Sequence, residues 1–160
     1  MTVLEIRRLT ESDSAAAVKI FFDAIHIGTA DTYSLEQRKA WAGEEPDFDG
    51  WHNRFKNLAG FVAEISGRMV GFMTLDDNGY IDLAFVSPES MGLGVGRKLY
   101  GVLETEAIAR EIGALSTNAS VPAKSFFQRM GWRVEREQNV AVRGESLTNY
   151  KMSKQLASSI

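Results

Sequence analysis

The sequence predicts an α/β domain of the α+β kind, with a block of antiparallel strands set between helices. Three observations predict it. Residues 60–86 alternate apolar and polar at a period of 2, the segments before and after repeat at about 3.6, and Gly-containing turns mark where the period changes.

Apolar alternation in "LEIRRL" predicts a first strand. Thr10-x-x-Asp13 then has capping-box spacing, with Asp in place of the usual Glu or Gln, ahead of a long helix in "SAAAVKIFFDAIHIG". Ser34-x-x-Gln37 repeats the signal and starts a shorter helix through Trp41. The acidic stretch "GEEPDFDG" separates it from another short helix carrying Trp51 and Phe55. From Gly60, "FVAEI", "MVGFMTL" and "YIDLAFV", joined by the turns "SGR" and "DDNG", read as a three-stranded meander. Arg97 to Ile112 returns to helical spacing, with Leu99, Val102, Leu103 and Ala107 on one side and Gly113 as the stop. "ALSTNAS" follows as a buried strand and "PAKSFFQRM" as a short helix between Pro122 and Gly131. "WRVEREQNVAV" and "SLTNYKMSKQL" are two final strands. The order is β-α-α-β-β-β-α-β-α-β-β, without a repeat or linker, and predicts one domain over residues 1–160.

Composition narrows the chemistry. The 160 residues are 44% hydrophobic and 24% charged, as in an ordinary soluble globular protein. No apolar run approaches the roughly 18 residues of a membrane span, and "MTVLEIRRLT" lacks a signal peptide's apolar region, so a cytoplasmic location is expected. Without cysteine there is no thiolate zinc site or cysteine nucleophile, and two histidines, His26 and His52, leave little for a metal centre. A formal net charge of −3 argues against a nucleic-acid partner.

The stretch "MGLGVGRKLY" places glycines at alternate positions in front of a helix. Glycine lets a ligand approach main-chain N–H groups, and the helix dipole favours an anion there, most naturally a phosphate; the same glycines also suit a plain turn. A P-loop needs four residues between its glycines followed by Gly-Lys-Ser/Thr, and a dinucleotide fingerprint needs its third glycine one residue later. Neither pattern is present.

"FVSPESMGLGVGRKLY" resembles the acetyl-CoA motif of the Gcn5-related N-acetyltransferases (GNAT), and "NASVPAKSFFQRMGW" resembles that family's second signature. The resemblance covers nearly the whole chain. It implies a GNAT-like mixed, mostly antiparallel central sheet of about six to seven strands flanked by helices, with acetyl-CoA as cofactor. It also implies that backbone groups of Phe85 and Val86 bind the pantetheine arm as an extra strand would. Main-chain N–H groups from Met91 through Arg97 (Gly92, Leu93, Gly94, Val95 and Gly96 between them) would hold the pyrophosphate. Ser120 stands where the family often has an Asn reaching the pantetheine, Phe127 would lie against the cofactor, and Lys98, Lys124 or Arg129 would screen the 3′-phosphate. Met91 and Phe127 depart from the family's usual Gln or Arg and its frequent proton-donating Tyr.

Acetyl transfer to an amine needs a neutral nitrogen, a donor for the developing oxyanion and a proton for sulfur. On "YIDLAFV" simple alternation places Ile81, Leu83 and Phe85 on one face and Tyr80, Asp82, Ala84 and Val86 on the other. Asp82 is a catalytic candidate as base or amine-binding carboxylate, or else an ion-pair partner of an Arg or Lys. Tyr80 is a candidate to pass a proton or simply caps the strand. The family's acceptor pocket uses the segment joining the first two helices, which makes His26, Tyr33 and Trp41 candidates. Helical spacing assigns Trp41 and Trp51 to the core as well, and Tyr150 is a reserve donor. The expected activity is N-acetylation of a primary amine on a small molecule or on a peptide or protein. A non-catalytic acyl-CoA sensor, favoured by Phe127, is the second reading. A homodimer that shares the final strands also stays open.

Overall fold

The computed structural model describes residues 3–156, so the outermost residues of the expected 1–160 domain lie outside it. Strand β1 (Leu4–Arg8) leads through a 3-10 turn (Glu11–Asp13) into α1 (Ser14–His26). Asp13 closes the predicted box by accepting from Thr10 N at 2.8 Å, and Arg7 donates to both of its oxygens. Helix α2 (Leu35–Ala42) starts at Ser34, whose Oγ accepts from Gln37 N while Gln37 Oε1 accepts from Ser34 N. A single-turn α3 (Phe48–Trp51) follows, capped by Asp47.

Strands β2 (Ala59–Ile65) and β3 (Arg68–Leu75) form the predicted hairpin. The segment "YIDLAFV" departs from expectation, because it divides into β4 (Tyr80–Ile81) and β5 (Ala84–Val86). Leu83 O accepts from Thr74 N and Tyr80 O accepts from Asp76 N, so Ile81 and Asp82 together face the single residue Leu75. That is a bulge, and Thr74 Oγ1 satisfies the Leu83 N–H at its centre. One extra residue inverts the alternation beyond it. Ile81 therefore packs into the same cluster as Ala84 and Val86, while Leu83 and Phe85 enter the opposite one. This corrects the simple alternation: Tyr80 and Asp82 lie on the side of Leu83 and Phe85.

The chain continues through α4 (Val95–Ala109), β6 (Ala114–Ser120), α5 (Val121–Arg129), β7 (Arg133–Val142) and β8 (Glu145–Gln155). The expected mixed, mostly antiparallel architecture is present, the described residues forming eight strands rather than six to seven because "YIDLAFV" divides, in two four-stranded sheets ordered β1-β2-β3-β5 and β4-β6-β8-β7. Among the described residues only β4 and β6 run parallel. The final strands pair within one chain, β8 lying between β6 and β7.

Each face has its own core. Leu99, Leu103 and Ala107 of α4 pack with Phe127 of α5 on one side, whereas Ala17 and Val18 of α1 pack with Trp51, Val62 and Phe72 on the other. Phe72, fully buried, contributes about 2–3 kcal/mol through its area alone. The consequence for function is a gap. β5 pairs with β3 on one side, β6 is covered by β4 only at Ser116 and Thr117, and the two sheets part between β5 and the end of β6.

Candidate active site

A short 3-10 turn (Pro88–Ser90) carries the chain from β5 to the glycine loop. Gly92 and Gly94 sit at φ +83 and +78, and a Cβ added to either would meet nothing within 4 Å. Their backbone angles therefore demand glycine, while the space above them stays open. Gly96 differs, since its Cβ would come within 3.1 Å of Phe126 Cε1, so that the ring on α5 would have to give by a few tenths of an ångström. Gly94 is the N-cap of α4 and no side chain caps that end, which leaves the N–H groups of the first turn without acceptors. The side chains of Met91 and Leu93 point to solvent, 67% and 58% exposed.

This loop floors one end of a cavity of about 430 Å³ that runs along β5. Every residue expected to touch cofactor except Leu93 lines it, from Phe85 and Val86 to Ser120 and Phe127. Ser120 is also the N-cap of α5, its Oγ accepting from Ala123 N at 3.2 Å. Of the three basic residues considered for the 3′-phosphate, Arg129 lines the cavity, as does Arg97. Lys98 instead donates to Leu4 O, and Lys124 lies over the Tyr150 ring at 4.3 Å.

A second cavity, also about 430 Å³, opens on the other side of β5. Ala84, Phe85, Ser120, Ala123, Phe127 and Trp41 line both, so the two meet at the gap between the sheets. Asp82 lines the second, its Oδ2 bound to Arg54 at 2.7 Å. Tyr80 stands beside it, and its oxygen accepts from Asn118 Nδ2 at 3.1 Å. Burial raises the Tyr80 phenol above its ordinary value of 10.0 and the nearby Asp82 and Asp76 add to the rise, so the hydroxyl keeps its proton at neutral pH.

Tyr33 lines this cavity too, but both sides of its hydroxyl are engaged: it donates to Thr148 O at 2.8 Å and accepts from Val121 N at 2.9 Å. It ties the α1–α2 connection to β8 and α5. His26 is a correction, since its Nε2 lies 2.7 Å from Gly43 O, its ring packs on Phe22, and it lines neither cavity. The structure thus places this helix-face histidine outside both cavities, its ring nitrogen satisfied by a nearby carbonyl.

Comparison with known proteins supplies the family. A profile described as "Acetyltransferase (GNAT) domain" matches residues 29–154. The N-acetyltransferase YafP of Escherichia coli (strain K12), itself uncharacterized, is 31% identical over 152 residues, covering 95% of this chain and 96% of that protein. The chain belongs to the GNAT family. Among solved structures, a GCN5-related N-acetyltransferase from Rhodopseudomonas palustris superposes with TM-score 0.88 at 34% identity over 95% of each chain. The PaiA N-acetyltransferase of Thermoplasma acidophilum, solved in complex with coenzyme A, has the same fold at 18% identity, with TM-score 0.75 over 96% of this chain and 99% of that one.

GNAT membership makes the chain an acetyl-CoA-dependent N-acetyltransferase, and its residues fit that cofactor. The open glycine loop, the uncapped start of α4 and the unpaired edge of β5 offer main-chain donors in a row, which suits a diphosphate joined to an amide-bearing arm. The second cavity of this GNAT domain also contains residues the sequence did not single out. Arg54 comes from the turns after α3, Asn118 from β6, and Val140, Leu147 and Asn149 from the β7–β8 hairpin. Trp41, an acceptor-pocket candidate as well as a packing residue by its spacing, and Trp51, assigned to packing, pack and also wall this cavity. No motif spacing links such distant segments.

Proposed function

We propose that this GNAT enzyme acetylates a primary amine held in the second cavity, at the point where that cavity meets the cofactor cleft. The observation that supports it is the shared lining at Ala84, Phe85, Ser120 and Phe127, which joins a main-chain anion site to a pocket holding a carboxylate. When bound, acetyl-CoA supplies an acetyl group activated as a thioester. The N–H groups from Met91 to Arg97 hold the diphosphate, and the free edge of β5 at Phe85 and Val86 takes the pantetheine amides. A main-chain N–H on that edge stabilises the oxyanion without any special side chain.

Asp82 orients the incoming ammonium. Its Oδ2 is committed to Arg54, leaving Oδ1 to face the amine and take up its proton. Tyr80 contributes a neutral hydroxyl beside it, and the second proton, the one the nitrogen loses when the amide forms, passes to the departing thiolate as the thioester C–S bond breaks. The monomer contains both cavities, so the reading requires no second copy. No helix among the described residues is long and apolar enough to cross a membrane. A chain without cysteine is compatible with the expected cytoplasmic setting. The activity is tested by incubating purified protein with acetyl-CoA and a panel of amines and following thiol release, with calorimetry of coenzyme A in parallel. Turnover of at least one amine is expected; coenzyme A binding without any turnover would turn the reading to an acyl-CoA sensor.

A further inference from the structure

The acceptor cavity has a polar wall whose direction is fixed from outside it. In the register of the second sheet, Ser120 of β6, Asn149 of β8 and Gln138 of β7 lie side by side. Gln138 Nε2 donates to Asn118 Oδ1 at 3.2 Å and to Asn149 Oδ1 at 3.0 Å. An amide can be turned end for end, so such a chain has two possible directions, and one donor-only neighbour suffices to choose between them. Arg136 is that neighbour, its Nε donating to Gln138 Oε1 at 3.3 Å. A guanidinium has no lone pair to offer, so this solvent-exposed contact favours the orientation in which Gln138 turns its oxygen to Arg136 and its NH2 to the two asparagines.

The consequence propagates by elimination. Asn118, with its oxygen taken, presents its NH2 to the Tyr80 oxygen, and Tyr80 must direct its own O–H hydrogen elsewhere. Asn149, with its oxygen taken by Gln138, has an NH2 with no partner among the described residues. Ser120 Oγ accepts from Ala123 N, which leaves its hydrogen free as well. Tyr80, Ser120 and Asn149 all line the acceptor cavity, whereas Gln138 and Arg136 do not.

We infer that this wall is an array of hydrogen-bond donors for a carboxylate or carbonyl oxygen of the acceptor, so that the substrate is an amine bearing such a group close to its nitrogen, as an amino acid or its amide does. Asp82 takes the ammonium, Tyr80, Ser120 and Asn149 take the oxygens, and the aromatic faces of Phe21, Trp41 and Trp51 favour an apolar side chain. Gln138 is a positioning residue that acts through the asparagines, and Arg136 sets its direction. The inference rests on the second cavity being the acceptor site, and it goes beyond that reading by naming what the acceptor must carry.

The test compares phenylalanine, phenylalaninamide and phenethylamine, which share ring and amine and differ only in the oxygen-bearing group. Both binding, by calorimetry with coenzyme A present, and kcat/KM, by thiol release, are measured. The amino acid and its amide are expected to exceed phenethylamine by at least about tenfold, the amide arm separating a need for a carbonyl from a need for full negative charge. Gln138→Glu keeps size and shape and strengthens the contact to Arg136, but as an acceptor-only group it forces both asparagines to turn their NH2 inward and their oxygens toward the cavity. The preference should then collapse or invert, while Gln138→Leu, which removes the anchor without reversing it, brings the ratio only toward one. An unchanged ratio in Gln138→Glu, with its thermal midpoint intact, would overturn the donor wall, as would equal binding of all three compounds. Binding of phenylalanine without turnover would keep the wall and remove the enzyme reading. Efficient turnover of phenethylamine alone would keep the enzyme and remove the wall.

Discussion

The cleft floored by the glycine loop and the cavity holding Asp82 are of equal size, about 430 Å³ each, yet they are built from different material. The anion-binding end of the first is made of main chain: two glycines with left-handed backbone angles, an uncapped helix start and a strand edge, contributed by one stretch from Phe85 to Arg97, with side chains such as Trp41, Phe72 and Phe127 walling the rest. The second is made of side chains brought together from α1, α2, the turns after α3, the β4–β5 bulge, β6 and the β7–β8 hairpin. A site of the first kind tolerates side-chain change and fails when its backbone is obstructed. A site of the second kind should fail residue by residue, and in the acceptor rather than the cofactor.

Gly94 is where this contrast has its largest expected consequence. Gly94→Asp puts a carboxylate where the diphosphate belongs and forces a Cβ onto a residue at φ +78. Calorimetry should show coenzyme A affinity reduced roughly 1,000-fold, about 4 kcal/mol, and the thermal midpoint should fall by only the few degrees that correspond to about 1–2 kcal/mol of backbone strain at the positive φ, since nothing packs within 4 Å of that Cβ. Undiminished affinity would dissolve the distinction between the two sites. Asp82→Asn is the counterpart on the other side of β5. It should lower kcat/KM for the amine about 100-fold and leave coenzyme A affinity within about twofold, since Asp82 lines the second cavity and not the first. Equal losses in both measurements would mean that the cavities are one site.

The two regions were also unequally legible. Main-chain sites advertise themselves through glycine spacing and the start of a helix, so "MGLGVGRKLY" locates the first cleft, and the capping signals at Thr10 and Ser34 locate the helices that frame the second. Of the expected loop and strand residues only Leu93, whose side chain points to solvent, does not line the cleft; of the basic residues considered, Lys98 and Lys124 do not. The second cavity was legible at Asp82, Tyr80 and Tyr33, on or next to predicted elements. Arg54, Asn118 and Asn149 were not, because their proximity depends on where the two sheets part. The alternation of "YIDLAFV" hides that point: a bulge adds one residue without leaving a mark in the apolar pattern, and it decides which face Asp82 shares. His26 failed for a simpler reason, as one carbonyl at the end of α2 claims its ring nitrogen.

Tyr33 separates the two sites in another way, by acting on one of them through architecture. Tyr33→Phe removes the bonds to Thr148 O and Val121 N, leaving two part-buried main-chain groups unpaired, a loss of about 1–2 kcal/mol of stability. The β7–β8 hairpin is then held to the α1–α2 region through Gln37 to Ser146 O and Arg143 to Ala40 O. A several-fold rise in KM for the amine is expected, with a smaller change in coenzyme A affinity. If coenzyme A suffers more, the hydroxyl serves α5 and the cofactor cleft rather than the hairpin.

Asp13 gives the smallest effect and calibrates the others, because it lies away from both cavities yet anchors β1 to α1. Burial pushes its carboxyl up, but the Arg7 guanidinium and the Thr10 N–H outweigh burial and hold it below its ordinary value of 3.8. A carboxyl depressed in the folded state adds stability above its unfolded value, and that stability is lost as pH falls through the folded one. Asp13→Asn should therefore cost about 1 kcal/mol at neutral pH, and its deficit relative to the unmodified protein should shrink only below about pH 4. Coenzyme A affinity and amine kcat/KM should both stay unchanged. A deficit that persists undiminished at acid pH would show that Asn loses packing rather than charge, and a shift in either ligand measurement would show that strain at β1 reaches the gap between the sheets.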